Sequence, residues 1–284
     1  MSAISIIARL TFREAIRRRI MRAGLVLGIA FVILYSIGTH FIFEQIAESS
    51  AERMPSQMAA NIVNAEATNT FMMMGLYAAT FLSIAMAALL GADTLAGEIN
   101  SGTVQTIATK PIRRSDMVLG KWLGFAGLLG LYVLILCGGI FLSVFLRTGY
   151  TPQNLLTGLG LIYMESILIM TITLMLSSAF PALATGGIVF GLYGLAFIGG
   201  WVEQFGAVLQ NPTAIKVGII TSLIIPSESL WKRAAFEMQA PITGSFGSPF
   251  TTTSIPSPLM MGYAFLYLVL VLFIAVRIFQ KRDL

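Results

Sequence analysis

The sequence predicts an all-α, polytopic membrane protein with six transmembrane helices. Of its 284 residues, 56% are hydrophobic and 11% are charged, and the mean hydropathy is +0.83. A soluble domain of this length would need more polar surface to cover itself. About 20 consecutive apolar residues cross a bilayer as a helix, which satisfies its own backbone groups in lipid. Within a transmembrane domain at 23–284, the segments of this kind are 23–43, 71–91, 122–146, 155–180, 182–201 and 259–276.

Residues 1–22 predict an amphipathic helix that lies in the membrane interface. Arg9, Arg13 and Arg17 recur at four-residue spacing and would share one helix face. A simple positively charged anchor is the alternative interpretation. A signal peptide does not fit, because the apolar run that follows is too long. The opposite face would carry Ala3, Ile4, Ile7, Ala8, Thr11 and Ala15.

The basic residues indicate the orientation of the spans. Six spans place 1–22, 92–121 and 277–284 on one side of the membrane, and 13 of the 18 Lys and Arg residues lie there. Because translocation disfavours Lys and Arg in short loops, we expect this side, with both termini, to be cytoplasmic. Topology then explains the net charge of +5, and nucleic acid is not an expected partner.

Two long segments, 44–70 and 202–258, are expected outside. The first contains four Glu residues and one Arg in a helix-favouring composition. The second contains an apolar stretch, 217–225, which ends at Pro226 and is too short to span. It predicts a re-entrant or interfacial element.

The sequence predicts no catalytic site and no metal site. The single histidine, His40, and the single cysteine, Cys137, belong to no ligand or nucleophile pattern, and neither an H-E-x-x-H motif nor a P-loop occurs. Met72, Met73 and Met74 would point to different helix faces, which favours packing or lipid contact over a Cu(I) site. We expect no cofactor on this chain.

Glu165 is the one acidic residue deep in a predicted span. Ionisable groups at that depth are candidates for a substrate path or a proton step. The alternative is a protonated or hydrogen-bonded Glu that fastens neighbouring helices. We favour this structural role, because the sequence places no second charge in the membrane to form a relay.

Glycine pairs at four-residue spacing predict two close helix contacts. Gly120 and Gly124 form one pair, and Gly187 and Gly191 form the other. Packing within the chain and dimerisation explain these pairs equally well.

The cytoplasmic loop 92–121 carries the most specific pattern. Glu98 is followed by Gly102-Thr103, then by Pro111-Ile112 and Arg114, and finally by Leu119-Gly120-Lys121. Between them a short helix is predicted over 102–109, because Ser101 can cap it and Pro111 ends it. Its apolar residues suit docking on a partner, although an ordinary basic loop is the alternative. The residues expected to dock are Glu98, Gly102, Thr103, Val104, Thr106, Ile107, Pro111 and Arg114.

This loop resembles the first cytoplasmic loop of permease subunits of type-2 ABC exporters, which also lies between the second and third spans. The resemblance implies a permease that couples a separately encoded ATPase, with ATP and Mg on that partner, to export of an unidentified substrate. It also implies a dimer with a second copy or a homologous permease, surrounded by lipid in a prokaryotic inner (plasma) membrane. Residues 226–233 show a looser resemblance to permeases implicated in multicopper-enzyme maturation.

Two other functions remain open at this stage. An intramembrane enzyme would need polar residues that converge at one depth, and the sequence supplies only Glu165 there. An ion-coupled carrier would show duplicated halves with interrupted helices, and no such repeat is evident.

Overall fold

The computed structural model describes residues 2–53, 56–92, 94, 113–239 and 254–281. These residues form α-helices and contain no strand, which confirms the all-α fold. The helices are α1 (Ala3–Arg17), α2 (Arg19–Arg53), α3 (Gln57–Ala92), α4 (Arg114–Thr148), α5 (Leu155–Ser177), α6 (Ala182–Val208), α7 (Pro212–Ile224), α8 (Ser227–Met238) and α9 (Pro258–Lys281).

Six of these helices, α2 to α6 and α9, are long and apolar enough to cross a membrane, as the sequence predicts. Most of them continue beyond the predicted spans. Helix α4 begins at Arg114 rather than at 122, and α6 continues to Val208 rather than ending at 201. Hydropathy marks the apolar part of a helix, whereas its backbone hydrogen bonds continue into polar sequence. In contrast, α5 ends at Ser177, short of the predicted 180, because a turn before Pro181 begins there.

The N-terminal helix α1 lies against α4. Its basic face is exposed as predicted, and Thr11 and Ala15 on the opposite face are buried. That face contacts protein, because a Cβ atom built on Gly124 would lie 2.7 Å from the Ala8 carbonyl oxygen, and one on Gly120 would lie 2.7 Å from the Ile7 side chain. These two glycines therefore serve packing within the chain. Ile6, Leu10 and Ile16 are large apolar residues that α1 exposes.

The second glycine pair, Gly187 and Gly191, has different surroundings. Cβ atoms built on Gly187 and Gly191 of α6 would meet no atom of the described residues within 4 Å. This face of α6 is therefore open in the single chain.

Helices α7 and α8 form a bent hairpin in the segment that was expected outside. Their axes differ by 109° across Ile225 and Pro226. The start of α7 lies beside the C-terminal end of α6, where a Cβ on Gly206 would lie 2.7 Å from Ala214 Cβ. The end of α8 lies beside the N-terminal end of α5, where Asn154 Nδ2 donates to Glu237 Oε2 at 2.9 Å. Because α5 and α6 are successive spans, these two ends lie on one side of the bundle, which favours a re-entrant element.

Candidate functional site

Most of the predicted docking residues lie outside the described part of the chain: Glu98, Gly102, Thr103, Val104, Thr106, Ile107 and Pro111. Arg114 is described, and it begins α4. Its Nη1 donates to the Gln280 carbonyl oxygen of α9 at 3.2 Å. The loop thus enters α4 next to the C-terminal end of α9.

Lys121, expected just before the third span, lies within α4 and is only 5% exposed. It lines a small cavity together with Thr11, Glu14 and Arg18 of the N-terminal segment. The Leu-Gly-Lys end of the sequence pattern is therefore where α1 packs on α4.

Glu165 lies in α5 and has no exposed surface. Neither of its carboxyl oxygens has a hydrogen-bond partner among the described residues. A buried carboxyl group in this condition is unfavourable when ionised. The described residues therefore supply no partner for a hydrogen-bonded Glu165, which leaves the protonated form of the expected structural role.

The sequence offers no second charge in the membrane to form a relay with Glu165, but the structure buries another acidic residue on a neighbouring helix. Glu228, in the first turn of α8, is buried, and α8 packs against α5. Tyr77 Oη donates to Glu228 Oε1 at 3.5 Å, and Trp201 Nε1 donates to Tyr77 Oη at 3.0 Å. Helices α3, α5, α6 and α8 therefore meet at this point.

A buried ion pair continues the cluster. Lys232 Nζ lies 2.9 Å from Glu203 Oε2, and the two side chains are 5% and 8% exposed. Ser254 Oγ also donates to Glu203 Oε1. Lys232 follows Glu228 by one turn of α8, a spacing that places the two side chains on one helix face.

Aromatic rings pack around Tyr77 in the cluster. Tyr77 lies 4.8 Å from Trp231 between ring centroids, and 6.2 Å from Phe197. These rings exclude water and lower the local dielectric, which strengthens every charge interaction inside the cluster. We call Tyr77, Glu165, Trp201, Glu203, Glu228, Trp231 and Lys232 the buried polar cluster.

Sequence reasoning missed most of this cluster for two identifiable reasons. Glu203 lies beyond the predicted end of the fifth span, and Glu228 and Lys232 lie in a segment assigned outside. The available signal was the short apolar stretch that ends at Pro226, since a re-entrant element brings the following polar residues into the bundle.

The methionine run contributes to packing. Met72 and Met73 have no exposed surface, whereas Met74 is 38% exposed. Their side chains therefore do not converge on one ion. Cys137 is buried and forms no disulfide.

A separate cleft of about 640 Å³ opens at the end of the bundle where α4 ends. His40, Glu44, Asn64, Arg147 and Tyr150 contribute to its lining. The Arg147 guanidinium donates to backbone and hydroxyl oxygens of α2, which fixes it against that helix.

Comparison with known proteins identifies a family. A family model described as "ABC-2 family transporter protein" matches residues 5–284, and a search of curated proteins found no match. The family match covers all six candidate spans and the hairpin. This chain, an integral membrane protein with apolar helices of spanning length, therefore belongs to the ABC-2 transporter family.

Proposed function

We propose that this chain is the permease subunit of an ATP-driven exporter and that a separately encoded ATPase hydrolyses ATP. The observation that carries the proposal is the family match over residues 5–284. Permeases of this family are membrane components of transporters and typically work with a separate ATPase subunit. The ordered pattern from Glu98 to Lys121 supports the cytoplasmic loop as the docking segment.

Helix α3 connects the predicted docking loop, 92–121, with the buried polar cluster. Helix α3 carries Tyr77 and ends at Ala92, just before the loop. At 1.5 Å per residue, these two positions are about 22 Å apart along the helix. Movement of the loop when the ATPase closes would therefore shift Tyr77 relative to Glu228 on α8. Release after hydrolysis would restore the contact.

The buried polar cluster does supply the convergent residues that an intramembrane enzyme requires. Its charged side chains, however, are at most 8% exposed, so a substrate has no access to them in this conformation. An ion-coupled carrier would show interrupted helices in both halves, whereas the described interruption, α7 to α8, lies in the second half alone. Both observations favour the permease.

The helices of this chain would span a prokaryotic inner membrane. Both termini would lie on its cytoplasmic side. A second copy or a homologous permease would complete the transporter. The resemblance of residues 226–233 to permeases implicated in multicopper-enzyme maturation supports that branch, and these residues form the bend and the first half of α8.

Single-cysteine labelling tests the orientation. With Cys137 replaced by Ala, cysteines at exposed Ser5 in α1 and exposed Met58 in α3 should face opposite sides of the membrane. A membrane-impermeant thiol reagent added to intact cells should label Met58→Cys, and should label Ser5→Cys only after lysis. Labelling of both from outside would contradict the six-span orientation.

ATP hydrolysis by the purified chain tests the division of labour. The chain alone should hydrolyse no more ATP than a mock purification from cells that lack it. Co-expression with an ABC ATPase encoded beside it should give a complex that copurifies and hydrolyses ATP. Robust hydrolysis that stays with the isolated chain through successive purification steps would refute the proposal.

A further inference from the structure

We infer that Glu165 and Glu228 form one buried proton-binding site, in which Glu165 holds the proton while α8 is packed against α5. Both oxygens of Glu165 lack a hydrogen-bond partner among the described residues, and the side chain has no exposed surface. An ionised carboxylate without a donor or a cation is strongly disfavoured in such a place, whereas the neutral acid is tolerated. The inference rests on this packing and does not require an ATPase.

Burial raises the pKa of Glu228 to about 8, and its surroundings offset part of this effect. Its carboxylate accepts a hydrogen bond from Tyr77 and lies one helical turn from Lys232. Glu165 has neither, and a negative charge on Glu228 disfavours a second one on Glu165. Two neighbouring carboxylates of this kind titrate as a unit and keep the last proton on the less stabilised member.

In the described part of the chain, too few cations lie around the pair to neutralise it. Lys232 lies 2.9 Å from Glu203, and the other cation of α8, Arg233, pairs with Glu237. The described charged residues of α4 contact other elements or lie near its ends, and those of α9 lie near its C-terminal end. The helices packed against α5 carry these titratable and charged groups: Glu66 and Tyr77 on α3; Arg114, Asp116, Lys121, Tyr132, Cys137 and Arg147 on α4; Tyr193 and Glu203 on α6; Glu228, Lys232, Arg233 and Glu237 on α8; and Tyr263, Tyr267, Arg277 and Lys281 on α9.

The site couples the proton to the position of the hairpin. Glu165 is contributed by α5, whereas Glu228 and Lys232 are contributed by α8. If α8 moved away, water would reach Glu165 and the charge of Glu228 would recede, so the carboxyl O–H bond would break and its proton would pass to water. The packed state binds the proton more tightly than the open state. Lower pH therefore favours the packed hairpin, and higher pH favours its opening.

Infrared spectroscopy of the full chain in lipid nanodiscs tests this site. The wild-type protein should show a protonated carboxyl C=O absorption that persists above neutral pH. Glu165→Gln, which replaces a neutral acid with a neutral amide, should remove that component. The exposed control Glu44→Gln should leave it unchanged.

Glu228→Gln supplies a second readout that a purely structural role of Glu165 would not move. Without the Glu228 charge, the Glu165 absorption should disappear at lower pH than in the wild type. Survival of the whole absorption in Glu165→Gln would overturn the inference, as would an unchanged titration in Glu228→Gln. An absorption that appears only after Na⁺ or divalent cations are removed would identify a metal cation in place of the proton, and would also overturn it.

Discussion

Replacement of Lys232 by Met is expected to lower the free energy of unfolding by about 3–5 kcal/mol. Methionine fills a similar volume in α8 but removes the ammonium group that lies 2.9 Å from Glu203. Glu203 would then be a buried carboxylate with Ser254 as its donor and no cation beside it. Because both side chains are almost fully buried, solvent would screen little of this loss. Denaturant-induced unfolding in detergent micelles measures the difference.

Two further variants isolate the ion pair. Lys216→Met removes an exposed lysine from the same hairpin and should change stability by less than about 0.5 kcal/mol. Adding Glu203→Gln to Lys232→Met should restore part of the lost stability, since Glu203 then carries no charge, whereas Glu228 still lacks the Lys232 ammonium group. Equal stability of Lys232→Met and Lys216→Met would show that the Glu203 contact is not a buried ion pair.

Local sequence patterns predict the number and approximate positions of the spanning helices. Each apolar run of about 20 residues corresponds to one spanning helix, because lipid forces the backbone to bond within its own segment. The face of α1 that carries Thr11 and Ala15 follows from helical periodicity. Helical periodicity does not show whether that face contacts lipid or protein. The face packs against Gly124, which lies more than 100 residues away in the sequence.

The buried polar cluster depends on contacts that no local pattern contains. Tyr77 and Glu228 are 151 residues apart in the sequence and meet only because the chain turns back at Pro226. Composition assigns Glu228 and Lys232 to a polar outer segment, because an isolated stretch of chain with these charges would favour water. Packing of α8 within the bundle then overrides composition, because Glu228 accepts a hydrogen bond from Tyr77 of α3 and Lys232 contacts Glu203 of α6.

The predicted docking helix lies outside the described residues, so its role is tested by function. Val104→Asp should weaken binding of the ATPase by about 5- to 150-fold, since an unpaired charge buried at the interface costs about 1–3 kcal/mol. Thr106→Pro should break the predicted helix itself, at about 3 kcal/mol. Neither position is in a span, so both variants should insert into the membrane normally.

Met58→Asp is the matched control for Val104→Asp. It introduces the same charge at an exposed position in the first turn of α3, where a carboxylate is favourable. Insertion, ATPase binding and ATP hydrolysis of the complex should match those of the wild-type protein.

The most direct measurement of the coupling role compares Val104→Asp with the wild-type chain. The first quantity is the amount of ATPase that copurifies with the permease. The second is the effect of the permease on ATP hydrolysis by the ATPase in proteoliposomes. We expect Val104→Asp to insert at the wild-type level, retain little ATPase and fail to alter its hydrolysis, while Met58→Asp behaves as wild type. If Val104→Asp retains the ATPase and alters its hydrolysis as the wild-type chain does, then the loop between α3 and α4 does not transmit the work of ATP hydrolysis to the membrane helices.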